Sequence, residues 1–190
     1  YIKDNFKKDL VLKASDLNVS FIGAGNYSKR KLIPTFKKNG ANFIGIASNN
    51  GLKPLTLGQK FKFKYATTDM QEIFRDRESQ IVVIASRHDS HADYVIDALN
   101  SKKHVFVEKP LCLNIDQLKR IKNAYTGEQI LMVGFNRRFS PFTMNLKSYL
   151  SKNNSPKAFT FTCNAGPLDK THWLNNKKMG GGRLIGEACH

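Results

Sequence analysis

Cysteine is scarce in this sequence, and long apolar runs are missing from it. The 190 residues include three cysteines, Cys112, Cys163 and Cys189, which form no CxxC pair. Their odd number argues against a disulfide framework, so we expect a cytoplasmic protein without a metal site. Because no uninterrupted apolar run approaches the ~18 residues of a transmembrane helix, we also expect no membrane association.

Acidic residues are few as well. The chain carries 31 Lys and Arg against 15 Asp and Glu, a net charge of +16, which makes nucleic acid a partner to consider. The basic residues are scattered, however, and form no single stripe with interleaved aromatic residues. We therefore expect no nucleic-acid partner and a solvated basic surface that favours anionic ligands.

The length and the apolar content of the chain indicate how many domains it can form. Hydrophobic residues make up 41% of the chain, which is enough for a core. Domains usually run ~100–200 residues, so the length suggests one domain, or one and part of a second. Residues 1–17 begin without Met and without the apolar core of a signal peptide, and we interpret them as a leader or linker cut from a longer chain.

Apolar runs alternate with helical patterns over residues 18–137. Helices are predicted over residues 27–38, where Pro34 interrupts the pattern, around residues 92–99, and after Asn114, which can cap the helix. Strands are predicted at "NVSFIGAG", "NFIGIAS", "QIVVIAS", "HVFVE" and "QILMVGF". Strands that are apolar on both faces and separated by helices indicate an α/β fold with a doubly wound parallel sheet.

The pattern changes after residue 137. "SPFTMNLKSYLSK" predicts a helix, "KAFTFTC" an alternating strand, and "NAGPLDKTHWLNNKKMGGG" a polar loop. About 50 residues hold too little core to complete a domain. We therefore interpret residues 138–190 as the incomplete start of a second domain.

The stretch "FIGAGNYS" follows the first strand and opens the first helix, where a dinucleotide-binding loop is found. Gly23 permits a tight turn, and Gly25 lets a pyrophosphate approach the backbone at the helix start. Ser28 stands in the place of the third glycine of GxGxxG. The alternative is a tight turn without a ligand.

The second strand ends in "IASNNGLK" and has no acid to bind the ribose 2′-hydroxyl of NAD. Ser48 and Asn49 replace the acid, and Lys53 could attract a 2′-phosphate. This favours NADP slightly over NAD. Alternatively, Ser48 only caps the next helix.

Two further stretches carry candidate catalytic residues. "VFVEKPL" places Glu108 and Lys109 directly after a buried strand, where ligands of open α/β sheets bind, although a strand-end lysine is often only solvated. "GGGRLIGEACH" places Glu187 and His190 three residues apart, on one face of a helix. That pair is either an acid/base site or a loose chain end.

Five stretches together resemble the Gfo/Idh/MocA oxidoreductases. They cover nearly all of residues 18–190, "EKP" is the most specific element, and the five are "GAGNY", "SRHDSHADYVIDAL", "HVFVEKPL", "VGFNRRFSP" and "GGGRLIGEACH". The likeness is greatest to the dehydrogenase half of bi-domain proteins that begin with a zinc-type alcohol dehydrogenase-like module. The resemblance thus implies that residues 138–190 are the incomplete start of an α+β substrate domain, within which the chain ends.

The resemblance also implies an activity. A Rossmann domain over residues 18–137 would bind NAD or NADP, and hydride would pass between the nicotinamide and a hydroxyl of a sugar, nucleotide sugar or cyclitol. A homo-oligomer is expected for the complete protein, and this fragment alone is expected to be inactive. A non-catalytic dinucleotide-binding sensor or scaffold is the alternative.

Residue roles follow from the same resemblance. Lys109 matches the catalytic lysine and also lies beside the cofactor, and the cofactor-binding positions are Gly23, Gly25, Asn26, Tyr27, Ser48, Ser86, His91 and Glu108. Arg137 and Arg138 match the segment that enters the second domain. His190 matches the catalytic histidine. The family usually has Asp four residues before it, where this chain has Gly186; Glu187 either replaces that Asp or the role is lost.

Overall fold

The described part of the protein comprises residues 17–152 and 154–189 of a computed structural model. The predicted leader, except for its last residue, and His190 therefore lie outside the described residues. Among the helices described, none combines the length and apolar character that a membrane crossing requires.

Six strands form one sheet. Their bounds are β1 Asn18–Ile22, β2 Asn42–Ala47, β3 Tyr65–Thr67, β4 Ile81–Ile84, β5 His104–Val107 and β6 Leu131–Val133. The order across the sheet is β3-β2-β1-β4-β5-β6. The pairs β1–β2, β2–β3 and β5–β6 are parallel. This is the doubly wound, Rossmann-type α/β sheet, and the predicted fold class is confirmed.

Six α-helices accompany the strands. They are α1 Ile33–Lys38, α2 Leu52–Phe61, α3 Met70–Arg75, α4 His88–Asn100, α5 Ile115–Ala124 and α6 Pro141–Leu150. Short turns of other helical types are Ser28–Leu32 and Leu184–Ala188, both π, and Asn136–Phe139 and Trp173–Asn175, both 3₁₀. The predicted helix over residues 140–152 is confirmed as α6.

The helix predicted over residues 27–38 is present, and it accommodates Pro34 because the turn before the proline is a wider π turn. Residues 26–38 are helical without a break, but the turn before α1 is π, and the Ile33 N–H donates to the carbonyl of Ser28, five residues back. Pro34 lies in the first turn of α1. A proline ring there meets the preceding turn, and the wider π turn relieves that crowding.

The chain forms two compact units, divided after Val82. The core of the first contains an aromatic cluster in which the Phe21 ring meets three other rings edge-on, with centroids 5.6–5.9 Å away. Those rings belong to Phe36, Phe43 and Phe63. Such edge contacts contribute about 0.5–1.5 kcal/mol each beyond area burial, so they stabilise the packing of β1 and β2.

In the second unit, the predicted helix signals are confirmed. Ala92, Val95 and Leu99 of α4 are buried, as their spacing predicts. The Asn114 side chain caps α5 by accepting from the Gln117 N–H at 2.9 Å. The Gln117 carbonyl oxygen in turn accepts from the Leu113 N–H at 2.7 Å, so the two side chains secure the start of α5 together.

The strand predicted at residues 157–163 is wrong. These residues are irregular and exposed, with Phe159 at 64% and Phe161 at 81% of their full accessibility. An alternating pattern becomes a strand only where a neighbouring strand takes up its backbone hydrogen bonds. Within the described residues, no strand pairs with this segment.

Candidate functional site

The turn after β1 requires glycine at its first position. Gly23 has φ 110°, a conformation that other residues rarely adopt, and its N–H donates to the carbonyl of Ala47 at 2.8 Å. The hydrogen bond continues the β1–β2 pairing past the end of β1. Gly23 is therefore explained by the fold itself.

Gly25 is not explained by the fold. Its φ lies outside the left-handed range, and a Cβ built on it would meet no atom within 4 Å. Another residue would fit here as far as the chain itself is concerned. The bare backbone at the start of the helix is therefore suited to a ligand that must come close, as a dinucleotide pyrophosphate does.

The residues after Gly25 begin the helix that faces this opening. Asn26 and Tyr27 are exposed, Tyr27 at 41%. Ser28 is fully buried, and its hydroxyl donates to the carbonyl of Gly23 at 2.7 Å. Serine in place of the third glycine therefore ties the helix to the turn by a hydrogen bond.

The end of β2 carries neutral side chains. The Ser48 N–H donates to the carbonyl of Thr67 at 3.2 Å, and Asn49 and Asn50 are exposed. Ser48 does not cap α2, because the residue at the cap position is Gly51. Lys53 lies in the first turn of α2 and is exposed.

In the second unit, His91 lies inside the protein. Its ring is 1% exposed, with Nδ1 2.7 Å from the carbonyl oxygen of Pro110 and Nε2 3.2 Å from that of Ser86. Burial lowers the pKa of His91, and the carbonyls oppose that shift in part. The Ser86 hydroxyl is hydrogen-bonded to that of Ser90 at 2.7 Å. His91 thus joins the segment after β4 to the segment after β5.

Glu108 begins the segment after β5. Its N–H donates to the carbonyl of Ile84 at 2.8 Å. The carboxylate lies against Gly134, where a Cβ would stand 2.8 Å from Oε1. Burial raises the pKa of Glu108, and the neighbouring Lys109 opposes that shift. Glycine at position 134 makes room for this acid.

Lys109 is half-buried and joined to Pro110 by a cis peptide bond. Its ammonium donates to the carbonyl of Gly186 at 2.5 Å, 77 residues along the chain. The lysine is therefore not simply solvated. The structure brings together two stretches, "VFVEKPL" and "GGGRLIGEACH", that the sequence singled out separately.

The acid of the second stretch is engaged elsewhere. Glu187 Oε2 accepts from Arg183 at 3.0 Å, an ion pair within one helical turn. At Gly186, a Cβ would stand 2.5 Å from Leu174 Cδ1, so an aspartate at this position would require the Leu174 side chain to shift. His190 lies outside the described residues.

A loop that the sequence analysis treated only as polar contacts the start of α4. His88 Nδ1 lies 2.9 Å from the carbonyl oxygen of Gly180, and its ring packs edge-on against Trp173 with centroids 4.8 Å apart. The Asp89 N–H donates to the carbonyl of Met179 at 3.1 Å. The only advance sign was the lone tryptophan within a polar stretch.

Two thiols line an apolar groove of about 520 Å³ beside Pro110. Burial raises the pKa of both, Cys112 and Cys189, so neither is a thiolate nucleophile near neutral pH. Among the described residues, no group of three or more His, Cys, Asp or Glu side chains could hold a metal ion.

Comparison with known proteins identifies the family. A family model described as "Oxidoreductase family, NAD-binding Rossmann fold" matches residues 17–135. The chain belongs to the Gfo/Idh/MocA family. The resemblance carried by the five stretches is thereby confirmed for the Rossmann part of the chain.

Individual Gfo/Idh/MocA relatives are longer than this chain. An inositol 2-dehydrogenase of Salmonella typhimurium is 31% identical over 144 residues, which are 74% of this chain and 42% of that protein. A solved levoglucosan dehydrogenase, in complex with NADH and levoglucosan, is 26% identical with a TM-score of 0.76, over 90% of this chain and 50% of that one. The chain thus spans about half or less of these relatives.

A second solved structure shows likeness in fold alone. It is a point mutant of a 3-ketoreductase from Actinomadura kijaniata, in complex with TDP-benzene and NADP. It is 20% identical with a TM-score of 0.75, over 90% of this chain and 53% of that one. Similar folds therefore occur in complexes with either dinucleotide.

Proposed function

We propose that the protein carrying this chain is an NAD(P)-dependent dehydrogenase that acts on a hydroxyl of a sugar, nucleotide sugar or cyclitol. The observation that carries the proposal is Lys109, a half-buried lysine directly after a parallel strand, whose ammonium is held on a backbone carbonyl. The family and the similarity to inositol and levoglucosan dehydrogenases support the substrate class.

The dinucleotide would be held by the turn after β1. Gly23 makes the tight turn, Gly25 leaves the backbone open to the pyrophosphate, and the positive charge of the chain favours an anion. Asn26 and Tyr27 would contact the phosphates. Ser86, Glu108 and Lys109 would lie on the nicotinamide side, and His91 would act there through the backbone segments that it joins.

NADP is the dinucleotide we favour slightly over NAD. Ser48 and Asn49 carry no charge that would repel a 2′-phosphate, and Lys53 is exposed in the next turn. A serine at this position can also bind the ribose of NAD. The difference in affinity between NADPH and NADH is therefore expected to be small.

Lys109 would hold and polarise the substrate oxygen. An ammonium has three donors, and one is used on the Gly186 carbonyl, so two remain for a hydroxyl. A bound dinucleotide would supply the acceptor for the hydride that leaves the substrate carbon during oxidation. His190 would accept the hydroxyl proton, and the oxygen would be left double-bonded to carbon. Glu187, paired with Arg183, would support the helix rather than the reaction.

A dinucleotide-binding sensor without catalysis is the second candidate. Gly186 stands where the family usually has Asp, Leu174 occupies the space of a side chain there, and Glu187 is paired. An acid that orients the histidine would then be missing. Such a protein would bind the dinucleotide and a polyol but transfer no hydride.

Turnover by the full-length protein separates the two candidates. The assay follows nicotinamide reduction with NAD⁺ and NADP⁺ against a panel of cyclitols, sugars and anhydrosugars. We expect turnover with at least one polyol, and loss of it in Lys109→Ala. Saturable dinucleotide binding without reduction by any polyol, and without effect of Lys109→Ala, would favour the sensor.

A further inference from the structure

His88 holds the loop that follows residue 171. It is the first residue of α4 and is 9% exposed. Its Nδ1 lies 2.9 Å from the Gly180 carbonyl oxygen. Because a carbonyl only accepts, Nδ1 carries the proton and donates it. Burial lowers the pKa of His88, which is consistent with a neutral ring in this tautomer.

Gly180, which accepts the hydrogen bond from His88, packs directly against Leu174. A Cβ on Gly180 would stand 2.4 Å from Leu174 Cα and 2.6 Å from its carbonyl oxygen, so the two backbones touch. The Gly180 N–H also donates to the carbonyl of Asn176 at 2.7 Å. A shift of Gly180 therefore moves Leu174.

Leu174 in turn packs against Gly186. The leucine side chain is buried, at 8% exposure, and its Cδ1 occupies the place next to Gly186 where a side chain would begin. The carbonyl of Gly186 accepts from the Lys109 ammonium at 2.5 Å. Contacts thus run without a gap from the imidazole of His88 to the ammonium of Lys109.

We propose that His88 is a positioning residue that fixes the ammonium of Lys109 through Gly180, Leu174 and Gly186. The proposal rests on the proposed function, in which Lys109 polarises the substrate oxygen. One turn along α4, His91 holds the carbonyl of Pro110, the residue after Lys109, at 2.7 Å. The first turns of α4 therefore set both ends of the lysine, its backbone and its ammonium.

A lysine needs such support because its side chain is long and flexible and has many rotamers to lose. Catalytic groups must be held close to the reacting atom, and a misplacement of about 1 Å can cost a factor of about 10² in rate. Releasing the Gly180 loop would let the Gly186 carbonyl, and with it the ammonium, move by distances of this order.

The first test compares His88→Phe with His88→Asn in the full-length protein. Phenylalanine keeps the contact with Trp173 but donates nothing, whereas the asparagine amide can replace Nδ1 as donor. We expect His88→Phe to lower kcat at least about tenfold, within the range for misplaced groups. The Kd for NADPH and NADH should stay within about twofold, a change below ~0.5 kcal/mol. His88→Asn should restore most of kcat.

His104→Phe is the matched control. His104 is half-buried rather than buried, but it too makes one backbone hydrogen bond. Its Nδ1 accepts from the Ile130 N–H at 3.0 Å, so this bond joins β5 to the residue before β6 and not to the Gly180 loop. The His104→Phe variant should have a lower free energy of unfolding than the wild type but the same kcat. Equal losses of kcat in both phenylalanine variants would mean that His88 acts only through general stability.

A double-mutant cycle tests whether His88 acts through Lys109. In a Lys109→Ala background, His88→Phe should change the residual rate less than about twofold, because the group it positions is gone. Additive losses would overturn the proposal. If His88→Phe fails to fold, Leu174→Ala takes its place in the cycle, since it breaks the same series of contacts nearer to Lys109.

Chemical labelling of Lys109 provides a readout that does not need turnover. Pyridoxal phosphate and borohydride label free amines, and mass spectrometry measures the rate at Lys109. Release from the Gly186 carbonyl should make labelling faster in His88→Phe, but not in His88→Asn or His104→Phe. An unchanged rate in His88→Phe would overturn the proposal. Full turnover by Lys109→Ala would instead contradict the proposed function.

Discussion

At the scale of single residues, the largest effect on kcat is expected from the substitution of Lys109. A positioned acid/base group contributes ~10²–10⁴-fold to rate, so Lys109→Ala should lower kcat of the full-length protein by about that factor. His190→Ala should do the same if it is the base. Dinucleotide affinity should change little in either variant, because neither side chain is expected to hold the pyrophosphate.

The control for charge is Lys122→Ala, which removes an exposed lysine from the last turn of α5. Steady-state rates measure kcat, and fluorescence titration with NADPH measures dinucleotide affinity. If Lys122→Ala and Lys109→Ala lose activity equally, the effect belongs to net charge and not to the position of Lys109.

Gly25 allows a test in which binding and folding separate. Because a Cβ there meets no atom within 4 Å, Gly25→Val should change the free energy of unfolding by less than about 1 kcal/mol. Affinity for both dinucleotides should fall at least about tenfold, or ~1.4 kcal/mol, since the branched side chain would occupy the path of the pyrophosphate.

Gly45→Val is the contrasting variant. A Cβ at Gly45 would stand 2.5 Å from Ile73 Cδ1 and 2.6 Å from the Tyr65 ring, so this variant should be strongly destabilised. Calorimetry and titration on the same samples measure both effects. Wild-type affinity in Gly25→Val would show that no pyrophosphate approaches this turn.

Ser48 decides the dinucleotide preference if the proposal is right. The wild-type protein should bind NADPH at least as tightly as NADH, and Ser48→Asp should shift the ratio of affinities toward NADH by repelling the 2′-phosphate. Ser48→Asn, of similar size but neutral, should leave the ratio near its wild-type value. A natural preference of about tenfold for NADH, or ~1.4 kcal/mol, would contradict the lean to NADP.

At the scale of elements, the cap of α5 gives a clean stability prediction. Asn114→Ala leaves the Gln117 N–H without its acceptor and should cost about 1 kcal/mol of unfolding free energy. Asn123→Ala, an exposed substitution in the last turn of the same helix, should cost less than about 0.5 kcal/mol. Urea unfolding compares the two, and equal costs would show that the cap is not used in solution.

Elements were predictable where local signals agree with burial. The stripe of α4, the Asn114 cap and the strands β1, β2, β4, β5 and β6 could all be predicted from the sequence. The elements α2, β3 and α3 were not. Pro54 and Gly58 weaken the helical pattern of α2, and a Cβ at Gly58 would stand 3.3 Å from Ala66 Cβ, so the helix lies close against β3. Packing against β3, and not propensity, accounts for this helix.

At the scale of the whole molecule, stability should fall toward acid pH. Burial lowers the pKa of both His88 and His91 from 6.5, so the unfolded chain binds more protons than the folded one near pH 6. Stability is then complete above the unfolded pKa of about 6.5 and is lost as pH falls below it. The raised pKa of Glu108 acts in the opposite direction at lower pH.

Urea unfolding between about pH 6 and pH 8 measures this dependence. We expect the unfolding free energy to rise with pH, and to rise less in His91→Gln, which removes one titrating ring. A flat profile in the wild type would show that these histidines are solvated in solution.

The sequence alone determined the family and the α/β class, because both depend on short local patterns: apolar runs, the glycine turn after β1 and the residues that follow each strand. Only the tertiary structure decided how the candidate site is put together. Ser28 replaces a glycine by bonding to Gly23, the His91 ring turns inward onto two carbonyls, and Leu174 fills the space beside Gly186. Lys109 and its acceptor lie 77 residues apart along the chain. Their contact forms because two distant segments pack against the start of α4, and neither the periodicity nor the motif spacing of the sequence predicts such a contact.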